Sequence, residues 1–186
     1  IGCAGGIDTT ANLKYNDEET PTGYFGFSIS VKGLKGGHSG DDINKGLGNA
    51  NKIITRYLWL VNKEMDLRIS HIDAGNLRNA IAREATVTAC VPYAQKERIR
   101  VLLNYFTAEI ENEIGITEPN LKISLESTQL PVSVIDKKSS DTLLNLLYAC
   151  PHGVIAMSRD MPDLVETSTN LASVKIKPDN MIQITT

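Results

Sequence analysis

The order in which hydrophobic periodicities follow one another restricts the fold of this chain more than any other feature. Apolar residues alternate with polar ones over Tyr24–Lys32, as in a half-buried strand, and then recur at helical spacing over residues 46–65. Two strands, a second amphipathic helix and a last strand follow, at residues 67–72, 86–91, 95–114 and 121–125. This β-α-β-β-α-β order predicts an α+β domain with a ferredoxin-like antiparallel sheet and its helices on one face.

Segments on both sides of this unit extend it. Alternating apolar residues predict a strand over residues 7–15, and a turn-rich segment follows. Later segments predict a third helix through 143–148 and two strands over 165–176 and 181–185, joined by a turn.

We therefore expect a single domain over residues 1–186, with a core at 24–127 and an extension at 128–186. The extension adds a helix and a C-terminal strand pair to the core. Short polar side chains that favour helix N-termini precede two of the helices. The expected caps are Asp41 or Asp42 for the first helix and Ser139 or Ser140 for the third.

The composition of the chain restricts the kinds of molecule that we expect it to bind. Of the 186 residues 22% are charged and the formal net charge is −3, so nothing favours nucleic acid or an acidic membrane surface as partner. No apolar run approaches the ~20 residues that a membrane-spanning helix needs. Three widely separated cysteines (Cys3, Cys90 and Cys150) favour a reducing, cytoplasmic setting. Because the chain opens on small apolar residues and ends within a strand-like run, we expect it to come from a larger protein.

A glycine-rich loop at residues 32–46, KGLKGGHSGDDINKG, is the first candidate for function. Its glycines let the backbone turn tightly and approach another group closely. His38 lies between Gly37 and Ser39, where it can exchange a proton near neutral pH or bind an oxygen atom. We expect this loop to be the functional end of the domain.

Signatures of a self-contained catalytic site are absent from the sequence. There is no HExxH or GxSxG motif, and the glycine-rich loop lacks the Lys-Ser/Thr of a phosphate-binding loop. His71 and His152 are far from His38 in sequence, and we expect packing or surface roles for them. We therefore expect this chain to bind no metal by itself.

Asn79 lies on the long polar loop between the two central strands. We take the exits of the first and second core strands to lie at opposite ends of the sheet. On that basis, the geometry does not ensure that His38 and Asn79 converge within one copy of the chain.

Three segments resemble the aminoacyl-histidine dipeptidases, which are carnosinase-like zinc exopeptidases. They are IGCAGGID at residues 1–8, GLKGGHSGDDINKGLGNANK at 33–52 and LRNAIAREA at 77–85. A fourth and weaker segment is PHGVIAMSRDMPDLVETSTNLASV at 151–174. In this family an inserted lid or dimerisation domain interrupts a catalytic domain that holds two zinc ions.

The resemblance implies that this chain is the lid domain of a cytoplasmic, homodimeric zinc dipeptidase that hydrolyses Xaa-His-type dipeptides. It implies that the metal ligands lie in the catalytic domain, outside this chain, so the isolated chain is expected to be inactive. By resemblance, His38 holds the scissile carbonyl oxygen, generally in the partner subunit's site, and Asn79 binds substrate. Action in the partner's site would not require His38 and Asn79 to converge within one copy.

One position departs from the family pattern. Ala156 stands where relatives often carry an arginine that can bind the substrate carboxylate, and Arg159 is a nearby alternative. The preferred dipeptide therefore stays open. Two other functions fit the same fold: a non-enzymatic ferredoxin-like dimerisation module, and a small-ligand-binding regulatory domain.

Overall fold

The computed structural model describes residues 5–186, so Cys3 lies outside the described part of the chain. The strands are β1 (Thr10–Lys14), β2 (Asp17–Glu19), β3 (Tyr24–Lys32), β4 (Arg68–Ala74), β5 (Ala85–Pro92), β6 (Lys122–Ser127), β7 (Ser133–Ile135), β8 (Gly153–Met157), β9 (Val165–Thr169), β10 (Ser173–Lys177) and β11 (Met181–Thr185). The helices are α1 (Ala50–Glu64), α2 (Lys96–Ile114) and α3 (Lys137–Ala149). None of the helices in the described part is long and apolar enough to cross a membrane.

Seven strands form one antiparallel sheet in the order β1-β11-β10-β4-β5-β3-β6. Four of its strands, on one side of the sheet, belong to the predicted β-α-β-β-α-β unit, made of β3, α1, β4, β5, α2 and β6. Within the sheet these four strands lie in the order β4-β5-β3-β6, which is the ferredoxin-like arrangement. The predicted α+β fold is therefore confirmed.

The alternation of β3 explains why one face of the sheet carries the helices. Its large apolar side chains are buried and belong to the core that α1, α2 and α3 complete. Ser28 and Ser30 alternate with them and are only half-buried on the other face. Burial of each large apolar side chain contributes about 1.5–3 kcal/mol. The buried residues of β3 are Phe25, Phe27, Ile29 and Val31.

The helices begin at caps other than those predicted. Asn49 caps α1, because its side-chain oxygen accepts hydrogen bonds from the N–H groups of Asn51 and Lys52. The prediction of Asp41 or Asp42 was wrong, since the loop continues for several residues before the helix starts. Asp136 caps α3 by accepting from the N–H of Ser139, so the expected Ser139 or Ser140 cap was also wrong.

Helix α1 is tied to both of the other helices. The Tyr57 hydroxyl donates to the Ile99 carbonyl of α2 at 2.7 Å. On the side of α3, Trp59 stacks on Tyr148 with ring centroids 4.3 Å apart. The Lys52 ammonium donates to three carbonyls at the C-terminal end of α3, where a cation is favourable: Leu147, Tyr148 and Cys150.

The predicted C-terminal strand pair is present and widens the sheet beyond β4. Strands β10 and β11 pair through a short turn at residues 178–180, in which Asp179 and Asn180 have positive φ. β1 then pairs with β11, so Thr10 lies opposite Thr185.

Three smaller features differ from the predictions. The strand expected over 165–176 is broken into β9 and β10 at residues 170–172, where the Leu171 carbonyl accepts from the Asn49 and Asn51 side chains. β9 pairs with β8, a strand that we did not predict because the apolar residues of 153–157 do not alternate with polar ones and several of them are exposed. The segment expected to be a turn before the core contains β2, which pairs with β7.

Candidate functional site

Both candidate loops lie at the same end of the sheet. β3 and β4 each pair antiparallel to β5, so they run parallel to each other and their C-terminal ends coincide. The expectation that these two strands exit at opposite ends was wrong, because a strand–helix–strand crossover returns the chain in its original direction. Residues 33–49 and 75–84 therefore meet above one edge of the sheet.

The two loops are joined by backbone hydrogen bonds. His38 and Ala80 form an isolated antiparallel bridge. The Ser39 N–H donates to the Asn79 carbonyl at 3.0 Å, and the Ile81 N–H donates to the Gly37 carbonyl at 2.9 Å. The segments that carry His38 and Asn79 thus converge within one copy of the chain, which the strand directions assumed from the sequence did not ensure.

The His38 ring is oriented by its own backbone neighbours. Its Nδ1 accepts from the N–H groups of Gly40 at 3.1 Å and Asp41 at 3.3 Å. An accepting Nδ1 carries no hydrogen, so in the neutral ring the hydrogen is on Nε2. The side chain is 52% exposed, which leaves Nε2–H as a donor that can reach a group outside the loop.

Asp42 fixes the backbone at His38. Its Oδ2 accepts from the His38 N–H at 2.7 Å, while the Asp42 N–H donates to the His38 carbonyl at 3.0 Å. Hydrogen bonds from the Lys45 ammonium and then from the His38 N–H lower the pKa of the Asp42 carboxyl. Asp42 therefore serves the loop itself rather than the start of α1.

Glu118 holds the base of the loop and was not found by sequence reasoning. Its carboxylate is 1% exposed and accepts from the N–H of Lys35 at 2.8 Å and of Gly48 at 2.9 Å. The two residues that it joins lie near opposite ends of the glycine-rich segment. Nothing local signals this contact, since Glu118 follows α2 and lies 83 residues beyond Lys35 and 70 residues beyond Gly48.

Gly33 is required where β3 leaves the sheet. Its φ is +79°, and a Cβ built on it would lie 2.0 Å from the Asn120 carbonyl oxygen. A side chain here would need both a strained backbone and a displaced neighbour.

Two buried asparagines, Asn170 and Asn49, hold the loops through side-chain hydrogen bonds. The Asn170 side chain is buried and its Nδ2 donates to the Ala80 carbonyl at 2.8 Å. The Asn49 Nδ2 group contacts both the Leu171 carbonyl and Nδ1 of His152. Burial, together with the nearby Lys52 ammonium, lowers the pKa of His152 to about 4, so this ring is a neutral packing element. We expected a packing or surface role for each of these two histidines: His152 is partly buried and contacts Asn49, and His71 is exposed at the surface.

His38 and Asn79 line different cavities. His38 lines a cavity of about 490 Å³ together with residues 5–9, Ser168 and Asn170. Asn79 lines a cavity of about 710 Å³ on the open face of the sheet. The structure thus brings the two backbones together, while each of the two residues lines its own opening.

The remaining candidates lie apart from these cavities. Ala156 is on β8, and Arg159 is exposed in the connection between β8 and β9. Neither residue lines the cavity of His38 or that of Asn79. Within residues 5–186, no three side chains of His, Cys, Asp or Glu are grouped so that they could hold a metal ion, so this part of the chain does not fit a metal centre.

Comparison with known proteins places this geometry in a family. A family model described as Peptidase dimerisation domain (M20_dimer) matches residues 22–118, which hold β3 through α2. The cytosol non-specific dipeptidase of Escherichia coli (strain K12) is 42% identical over 181 residues, which are 97% of this chain and 37% of that protein. The crystal structure of the aminoacylhistidine dipeptidase from Vibrio alginolyticus matches with a TM-score of 0.92 at 35% identity.

That match covers 96% of this chain and 36% of the Vibrio chain. The chain therefore spans little more than a third of the length of these two relatives. The resemblance predicted from the sequence segments is confirmed by both matches.

Proposed function

This chain belongs to the M20 peptidase dimerisation domain family, and from that premise we propose that it is the lid and dimerisation domain of a cytoplasmic, zinc-dependent dipeptidase. The names of the two relatives support dipeptide hydrolysis, of which Xaa-His-type dipeptides are the proposed preference. The parent protein is a homodimer, and its zinc ligands lie outside this chain. In this proposal residues 1–186 form one domain, which consists of a core at 24–127 and an extension at 128–186.

The observation that carries this proposal is the pair of backbone N–H groups on Nδ1 of His38. They fix the tautomer that presents Nε2–H, and this group is a donor rather than a proton acceptor. A donor of this kind suits a carbonyl oxygen that gains negative charge as its carbon is attacked. We assign His38 to that oxygen and expect it to lower the barrier by about 3–4 kcal/mol.

His38 and Asn79 lie at the end of the sheet where β3 and β4 both finish. The resemblance favours delivery of His38 to the site of the partner subunit.

Asn79 is assigned to substrate binding. It is exposed, and its backbone is held by Ser39, next to the residue that we assign to the carbonyl oxygen. An amide side chain offers both a donor and an acceptor, which suits the polar groups of a dipeptide.

The test uses the full-length parent enzyme with His38→Ala. Loss of the donor should lower kcat by about 100-fold or more while zinc content and dimer state stay unchanged. An unchanged kcat would remove His38 from the reaction and leave the chain as a dimerisation module.

A second measurement concerns the isolated 186-residue chain. Because the zinc ligands are assigned to the rest of the parent, the isolated chain should hydrolyse no dipeptide in the presence of zinc. Metal-dependent turnover by the isolated chain would contradict this division of labour.

A further inference from the structure

A hydrogen-bond donor that meets the charge of a transition state works well only if it is held within about 0.5 Å of its productive position. The proposed dipeptidase function, on which the inference below rests, gives His38 such a task. The loop around His38 has little rigidity of its own, because Gly36, Gly37 and Gly40 lie close to it in the chain. Contacts from outside the loop must therefore fix the position of His38 relative to the sheet.

Ala80 lies directly opposite His38 in the antiparallel bridge that joins the two loops. The hydrogen bonds of this bridge are made by the residues on either side of His38 and of Ala80. In an antiparallel pair with this pattern, the N–H and C=O groups of the two central residues point away from the facing segment. The Ala80 carbonyl is therefore directed to the side of its loop that is remote from His38.

Asn170 holds the Ala80 carbonyl on that side. Its Nδ2 group donates to this carbonyl at 2.8 Å. The residue is 7% exposed and lines the same cavity as His38. Its Oδ1 atom is buried and has no hydrogen-bond partner among residues 5–186, so the bond to Ala80 is the one that its amide contributes there. Asn170, Ala80 and His38 thus form a row that leads from the interior to the exposed imidazole.

The backbone on both sides of Asn170 is itself fixed. Thr169 pairs with Gly153 of β8. The Leu171 carbonyl accepts from two buried asparagine side chains at the start of α1, and the Ala172 N–H donates to a carbonyl of β11 at 2.9 Å. Asn170 is therefore anchored to β8, β11 and α1, which surround the base of the two loops.

We infer that Asn170 is a positioning residue for His38. Its amide fixes the Ala80 carbonyl, and the bridge between the loops fixes His38 opposite Ala80. Asn170 itself touches neither the substrate nor the reacting carbonyl oxygen in this assignment. Without its amide, the bridged loops lose the bond that ties them to the rest of the sheet at this point.

The experiment is a double-mutant cycle in the full-length parent, with kcat as the readout. Asn170→Leu keeps most of the side-chain volume and removes the donor. Because a displacement of about 1 Å at a catalytic group can cost about 100-fold in rate, kcat should fall by roughly 10- to 100-fold. In the His38→Ala background the same substitution should lower kcat by less than about threefold, since the side chain that Asn170 positions is then absent.

Further variants separate positioning from a general loss of stability. Asn170→Gln retains an amide donor and should recover part of the lost kcat. If Asn170→Leu fails to fold, the smaller polar substitution Asn170→Ser replaces it in the same cycle.

Asn51→Leu is the matched control. Asn51 is 1% exposed, and its Nδ2 group also donates to a backbone carbonyl, that of Leu171, at 3.0 Å. Because Asn49 still donates to the Leu171 carbonyl, the control should lower the melting temperature but change kcat by less than about threefold.

A loss of kcat by the same factor in both backgrounds would show that Asn170 only supports the fold, and would overturn the inference. A loss in Asn51→Leu as large as that in Asn170→Leu would overturn it as well. An unchanged kcat in His38→Ala would refute the proposed role of His38 and this inference with it. A large loss in His38→Ala with an unchanged kcat in Asn170→Leu would refute only the assignment of Asn170.

Discussion

At the scale of single residues, His38 is oriented by contacts that its sequence neighbours provide. The glycine-rich context predicted an exposed loop, and the ring lies on one; the functional role of this loop stays a prediction. The two hydrogen bonds to Nδ1 come from residues two and three positions later. The sequence could not predict them, because many backbone paths through Gly40 and Asp41 are compatible with the same residues.

Glu118 is the residue whose removal should loosen this loop most. In Glu118→Gln, one of the two backbone donors, Lys35 or Gly48, would face an NH₂ group instead of an acceptor. Because the site is buried, we expect a loss of about 2–3 kcal/mol in the free energy of unfolding. Urea unfolding of the purified chain measures this loss.

Glu111→Gln makes the same chemical change at an exposed position of α2 and should alter the stability by less than about 0.5 kcal/mol. Equal effects of the two variants would contradict the assigned role of Glu118.

His152 should make the stability of the chain depend on pH. Its pKa is lowered from 6.5 to about 4 in the folded chain, so below pH 6.5 the unfolded chain binds the proton more readily. Stability is then fully present above pH 6.5 and is lost as the pH falls toward 4. Between pH 8 and pH 5 the loss should be about 2 kcal/mol.

Denaturant midpoints at the two pH values measure this change, and His152→Gln should abolish most of it. A loss of the same size in His152→Gln would show that other groups cause the pH dependence.

At the scale of elements, the directions of the strands determine which loops lie close together. Periodicity predicted β3, β4, β5, β6 and both core helices, because each buries a regular face. It did not predict the meeting of the two loops, which depends on β3 and β4 running parallel on either side of β5. β8 and the break between β9 and β10 were missed because exposed apolar residues and buried asparagines follow neither period.

A substitution at Gly33 tests whether the chain needs a glycine at the point where β3 ends. Gly33→Ala should destabilise the chain by several kcal/mol, since its Cβ would lie 2.0 Å from a backbone oxygen. Gly46→Ala is the matched control: its φ of +66° is similar, but nothing lies within 4 Å of the added Cβ. It should lose only about 1–2 kcal/mol. Thermal unfolding of both variants measures these losses of stability. Equal losses would contradict the steric argument.

At the scale of the whole molecule, the sheet places the loops that carry His38 and Asn79 at one end. The core fold followed from the sequence, as did the resemblance that pointed to a lid domain. The sequence could not establish which side chains share a cavity, since that depends on contacts between residues 5–9, 38–41, 78 and 168–170. His38 and Asn79 line two different openings.

The most direct measurement of the central claim is kcat of the full-length parent with His38→Gln, compared with His38→Ala. A glutamine side chain retains an N–H donor but is no acid or base near neutral pH. If His38 acts by donating from Nε2, His38→Gln should recover about tenfold or more of the kcat lost in His38→Ala. Equal loss in both variants, with zinc content unchanged, would contradict the claim that His38 serves as a donor to the carbonyl oxygen.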